Sequence, residues 1–292
     1  MRALPPWLVM GLAAVSWGAA TVLSKVSVQQ LTGIDLLGIE VTVGAAALWG
    51  IVLVRGGPVR AWARPSLVVL GVLEPGLSFA LFDQGIVHTG ALDGGLLLAS
   101  ETLFTVALAV LLLRERVGPR LLAALVAGAL GATLVAARGG GMTSVLGDSL
   151  VLGASLAAAA YAVGARRWSQ QADAVAVTAV QLLAAWVLVA PLAGGVALAG
   201  HSHISRTDAP HLVAAVATGI LATALPFVLF NAAITRLQAS QAALILALIP
   251  IFAAVIAVVG LGEPVGVAQA LGGTLVVGAA AVAARADEAP LV

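Results

Sequence analysis

The chain contains no cysteine, so disulfides, thiol nucleophiles and cysteine metal sites are excluded. Charge is nearly as scarce. Asp, Glu, Lys and Arg make up 9% of the residues, where an ordinary soluble domain carries about 25%. A chain of 292 residues that is 61% hydrophobic, with mean hydropathy +1.11, lacks the residues for a polar skin and must face lipid. The net charge of +1 gives no basic surface for nucleic acid. The histidines, His88, His201, His203 and His211, include no pair at a helical metal-binding spacing backed by a carboxylate. The His201-Ser-His203 run reads as polar loop, and no metal site is expected. Long loops are missing too, which leaves no room for an extramembrane catalytic domain, and no enzyme is expected.

What is present is a series of apolar runs. A membrane helix needs about 20 apolar residues. Ten stretches qualify: 7–28, 34–54, 66–87, 91–113, 118–137, 147–168, 174–199, 210–231, 238–260 and 265–284. The breaks between them are short and hold Gly, Pro, Arg or Asp, as in RGGPVR (55–60) and RERVGPR (114–120). The first run follows Arg2 but exceeds the roughly 7–15 residues of a signal-peptide core, so it reads as a retained span. With the N-terminus in the cytoplasm, eleven arginines fall inside, and Lys25, Arg138 and Arg206 fall outside. That asymmetry predicts a multi-pass protein with both termini cytoplasmic. Trp7, Trp49, Trp62 and Trp168 then sit at the cytoplasmic interface.

The chain also repeats itself. Residues 68–115 align without a gap onto 216–263, with 17 identities in 48 positions, where this composition gives roughly five by chance. Gly71/Gly219, Phe79/Phe227, Phe82/Phe230, Phe104/Phe252 and Glu115/Glu263 are among the pairs. The predicted fold is all-α and integral to the membrane, with ten helices in two five-helix repeats, 1–140 and 141–292. Five is odd, so the second repeat enters from the opposite face. Inverted repeats place substrate sites near the midplane between the halves.

Three features carry a family resemblance. One is WGAATVLSK (17–25) in helix 1. The second is the end of helix 4, AVLLLRERV, with the end of helix 9, LIPIFAAVIAVVGLGEPV. The third is the small, Gly-rich helix that follows each. Together they resemble the drug/metabolite transporter superfamily, in its ten-helix type with two EamA-like halves. The resemblance implies a solute exporter of a bacterial inner membrane, for amino acids, metabolites or drugs, with helices 1, 3, 4, 6, 8 and 9 around a central cavity. The chain departs from the pattern in places. Thr102 stands where the second half has Pro250, and Glu40 lies near a helix 2 position that is arginine in many relatives. Helix 1 lacks the glutamate of the four-helix multidrug cousins.

Within the spans, polar residues are the candidates for chemistry. Glu74 and Glu101 lie near mid-span with no basic residue at their depth, and the cost of exposing an acid to lipid puts them in a cavity. On helix 3, Glu74, Ser78, Gly85 and His88 fall within about 80° of one another at 100° per residue. Asp83 points elsewhere unless Pro75 and Gly76 bend the helix, and its repeat partner is Asn231. Helix 4 sets Thr105 on the face of Glu101. Helix 1 sets Trp17, Thr21 and Ser24 on one face, helix 6 offers Tyr161, and helix 9 offers Gln241. Trp17, Tyr161 and Phe227 are candidates for apolar or cation–π walls. Glu40 lies at nearly the depth of Lys25, so a structural ion pair and a functional carboxylate are equal readings. The small residues of helices 5 and 10 read as packing or dimer surfaces, in a monomer or homodimer.

These residues predict an acidic midplane site for an amine-bearing small molecule, with no cofactor and with proton exchange as a coupling route. The expected function is alternating-access export of amino acids or related metabolites. Efflux of cationic drugs is the alternative within transport, and a non-transporting membrane scaffold is the alternative outside it. The absence of mid-membrane Lys or Arg ranks phosphate and nucleotide-sugar substrates low.

Overall fold

A computed structural model describes residues 4–56, 64–88, 100–115, 117–136, 145–169, 173–261 and 267–286. Among the described residues there are ten helices and no strand. They are α1 (Pro6–Ser27), α2 (Gly33–Arg55), α3 (65–88), α4 (Ser100–Leu113) and α5 (Pro119–Ala136), then α6 (Val145–Trp168), α7 (Ala174–Leu198), α8 (Ala209–Ile234), α9 (239–261) and α10 (Val267–Ala286). Six spans are long and apolar enough to cross a membrane, and shorter apolar stretches lie in α4, α5, α9 and α10. Leu111, Val187, Val259 and Leu271 are exposed on the outside of the bundle, an apolar exterior suited to lipid.

Local chemistry sets the helix ends. Pro6 and Pro65 occupy first-turn positions, where a missing N–H costs nothing. Thr32 and Asp35 form a capping box at α2, and Asp173 and Asp208 accept from the third backbone N–H of α7 and α8. α2 closes on Gly56 at φ 65°, and α4 closes on Arg114 at φ 56°.

Two helices are interrupted at matching places. α3 widens into a π turn at Val72–Leu77, with Glu74 in an extended conformation (φ −152°, ψ 131°) ahead of Pro75. α8 widens likewise at Gly219–Ala224. The repeat alignment superposes the two π turns to within one residue.

Packing respects the same symmetry. α1 lies against α8 and α9, while α6 lies against α3 and α4. α2 contacts the π turn of α8, while α7 contacts that of α3. α5 and α10, counterparts of each other, pack together so closely that a Cβ on Gly131 would come within 2.6 Å of the Gly272 carbonyl oxygen. The small residues of these two helices therefore serve at least in part for contact within the chain. The end of α4 also meets the start of its copy: Glu115 accepts from the N–H of Ala239 at 2.9 Å. α4 and α9 therefore run in opposite directions.

Candidate functional site

A cavity of about 540 Å³ lies between the halves. Trp17, Thr21, Ser24 and Val28 line it at steps of three or four, one face of α1 down to its last turn. Gly33, Leu36 and Glu40 continue the wall along the start of α2, so the cavity reaches the α1–α2 turn. α3 contributes Glu74, Ser78, Phe79 and Phe82, α4 contributes Glu101, and α6 contributes Ser155 and Tyr161. Ala222 and Phe230 of α8, with Leu246 and Ile249 of α9, complete it. The set expected from the family resemblance gains α2.

Among the described residues, three carboxylates and no Lys or Arg line this space. The side chain of Lys25 lies outside the described residues. Glu74 and Glu101 stand close enough for their charges to interact. Glu40 is 5% exposed, and the Ser24 hydroxyl donates to its Oε1 at 3.2 Å.

An aromatic cluster closes the inner wall. Trp17 meets Phe227 edge-on at 5.3 Å and Phe230 at 6.2 Å. Tyr161 stacks on Phe230 at 5.3 Å. The interrupted α8 fixes Trp17: its indole N–H donates to the Ala222 carbonyl at 2.8 Å, and Ser16 donates to Leu221 at 2.8 Å. A π turn leaves carbonyls without their usual helical donors, and these two α1 side chains supply donors there.

Behind the aromatics lies a polar network. Asn231 donates to Gln181 Oε1 at 2.9 Å, to Thr178 at 3.1 Å and to the Tyr161 hydroxyl at 3.3 Å. Ser169 donates to Asn231 Oδ1 at 3.3 Å. The network ties α6, α7 and α8 together under the cavity.

Of the sequence candidates, Trp17, Thr21, Glu74, Ser78, Glu101 and Tyr161 line the cavity. Phe227 and Asn231 do not; they support Tyr161 and Trp17 from behind. Thr105 is buried inside the bundle away from the lining. Gln241 is spent on a capping box, accepting from Gln238 N at 2.9 Å at the head of α9. The side chains of Asp83 and His88 lie outside the described residues. Beyond the π turn the α3 stripe stays on one side: Ser78 donates to Ala154 O of α6 at 3.1 Å, and a Cβ on Gly85 would come within 2.7 Å of Val151 Cγ2 of the same helix. Sequence reasoning passed over Phe79, Phe82, Ser155 and Phe230. Glu40, for which the sequence supports an ion pair and a functional carboxylate equally, lines the cavity on the helical face of Gly33 and Leu36.

Among the described residues no group of histidines and acids is arranged to hold a metal ion.

Residues 5–137 and 145–285 each match the EamA-like transporter family. The chain is 28% identical over 264 residues to a probable terminal-alkyne amino-acid exporter of Streptantibioticus cattleyicolor, covering 86% of this chain and 84% of that protein. It is 22% identical over 155 residues to an uncharacterized transporter of Archaeoglobus fulgidus, covering 53% of this chain and 55% of that one. The chain thus spans about half the length of the archaeal relative. A solved crystal structure superposes with TM-score 0.83 at 18% identity, covering 97% of this chain and 99% of that one, and so shares the fold.

Proposed function

The chain belongs to the EamA-like transporter family, a multi-pass membrane protein rather than an enzyme, and from that premise we propose that it exports ammonium-bearing small metabolites, amino acids among them, by alternating access. The observation that carries this reading is the cavity lining: Glu74 and Glu101 adjacent, Glu40 nearby, and no described basic side chain. Two adjacent carboxylates in an apolar wall repel unless a cation or a proton lies between them. A substrate ammonium fits that place, with Trp17 and Tyr161 as cation–π neighbours. Exchange of one proton for one ammonium at this pair couples export to proton entry. The relative that bears an exporter's name supports the amino-acid class.

The family resemblance supports a bacterial inner membrane, and arginine placement supports both termini in the cytoplasm. In that orientation the α1–α2 turn, which the cavity reaches, is external. The aromatic cluster and the Glu115 contact with α9 then close the inner side.

Transport in proteoliposomes tests the reading. Glu74→Gln and Glu101→Gln each lower ammonium-substrate flux by at least about 10-fold, the effect of losing a charge-assisted contact, and flatten its pH dependence. Unchanged flux and pH profile in both variants overturn the proposal.

A further inference from the structure

The mechanism above leaves one carboxylate of the cavity unused. Glu40 is 5% exposed, lines the cavity, and has hydroxyl neighbours, Ser24 and Thr218, rather than a described cation. A carboxylate has about four lone-pair sites, so one or two hydroxyl donors leave room for an ammonium.

Its position relative to the other acids is set by α1. Ser78 donates to Ala154 O of α6 at 3.1 Å and Leu70 packs at Gly164, so Glu74, between them, lies beside the Tyr161 turn of α6; the Tyr161 ring lies 5.5 Å from Phe227, itself 5.3 Å from Trp17. The Glu74–Glu101 pair is therefore at the level of Trp17. Glu40 is at the level of Ser24, two turns along the same face, about 10 Å away at 1.5 Å per residue. The wall between these stations includes Ala20, Phe79 and Phe82, with Thr21, whose hydroxyl donates to the Trp17 carbonyl.

We propose that the cavity recognises a dication, an α,ω-diamine of about four to six carbons, with one ammonium at Glu74 and Glu101 and the other at Glu40. The lengths agree. Such a diamine spans roughly 6–9 Å between nitrogens, since each bond of an extended chain advances about 1.25 Å along its axis, and each charge-assisted contact adds up to about 2.8 Å. The intervening methylenes lie along that wall. An amino acid of the same length brings a carboxylate against Glu40 and is the poorer ligand. This proposal rests on the exporter reading and narrows its substrate class.

Reconstituted full-length protein tests it with 1,5-diaminopentane, n-pentylamine and a diamine series from two to eight carbons. In the wild type, 1,5-diaminopentane competes at least about 10-fold better than n-pentylamine, and affinity peaks at four to six carbons. Glu40→Gln lowers the affinity for 1,5-diaminopentane at least about 10-fold more than that for n-pentylamine. A steady rise of affinity with chain length overturns the proposal, independently of any variant's folding. Equal loss of both amines in Glu40→Gln also overturns it, since that marks a structural carboxylate. Wild-type protein that carries neither amine nor any amino acid refutes the exporter reading and this proposal together, and protein that carries amino acids but neither amine refutes this proposal alone. Wild-type protein that carries n-pentylamine without preferring the diamine refutes this proposal alone.

Discussion

Glu115, at the end of α4, caps α9: its Oε1 accepts from Ala239 N at 2.9 Å, and its Oε2 from the Ser240 hydroxyl at 3.2 Å. The end of one helix is thus fastened to the beginning of its own repeat copy. The carboxylate also meets the positive end of the α9 dipole. This link joins the two halves at the end opposite the α1–α2 turn. Glu115→Ala is expected to lower unfolding stability by about 0.5–2 kcal/mol, the range for a lost cap. It also loosens that end. Because the chain has no cysteine, Ser169→Cys, at a buried position in α6's final connection, gives a clean reporter. Its labelling by a thiol reagent should accelerate when Glu115→Ala is added.

Gly71 marks where α3 crosses α7. A Cβ there would sit 2.6 Å from the Gln181 Cα and carbonyl carbon, and closer still to the carbonyl oxygen. Backbone cannot rotate away as a side chain can. Gly71→Ala should cost about 1–3 kcal/mol, the usual penalty of overpacking, and lower the thermal midpoint in detergent. A midpoint at or above that of the wild type would show that α3 and α7 are farther apart.

Much of this architecture is legible in the sequence, because burial of polar groups in lipid is so costly that each one stands out. Glu74 and Glu101 are conspicuous in apolar runs for that reason. The alignment of 68–115 onto 216–263 also carries the two π turns, although nothing in the residues announces a π turn as such. Beyond that turn the helical wheel still applies to α3, since Ser78 and Gly85, seven residues apart, both face α6. Gln241 was assigned to the pathway because a polar residue in an apolar helix suggests function. Its partner, Gln238, three residues earlier, is the capping signal that explains it. Contacts such as Trp17 with Ala222 are long-range and have no local signature.

At the other end of the bundle, the α1–α2 turn is clasped to the start of α8. Gln30 donates to Asp208 Oδ2 at 2.9 Å and accepts from Asp208 N at 2.9 Å. The hydrogen bond from the His211 side chain, aided by the His211 N–H and Gln30, holds the exposed Asp208 carboxyl below the usual aspartate range. A depressed carboxyl contributes its stabilisation above the unfolded-state value, about 3.9, and loses it as pH falls through the lower folded value. Hydrogen-exchange protection of the Gln29–Leu31 amides, corrected for intrinsic rates, should therefore hold steady from neutral pH down to about 4 and drop below it. Asp208→Asn should show weaker protection at neutral pH and no acid step.

Trp17 does two jobs that one substitution separates. Its ring forms part of the cavity wall and meets Phe227 edge-on. Its indole N–H satisfies Ala222 O where the α8 π turn leaves that carbonyl inside the bundle. Trp17→Phe keeps a ring and deletes the donor. A buried acceptor left without its partner costs about 1–3 kcal/mol, so the variant should unfold earlier by that amount. Ser16→Ala, which removes the neighbouring bond to Leu221, should cost less, about 0.5–1.5 kcal/mol for a small side chain's hydrogen bond. The double variant should exceed the sum, because the two bonds hold one interrupted turn and neighbouring sites couple. If α8 needed no support from α1, both single variants would match the wild type and the double variant would add nothing.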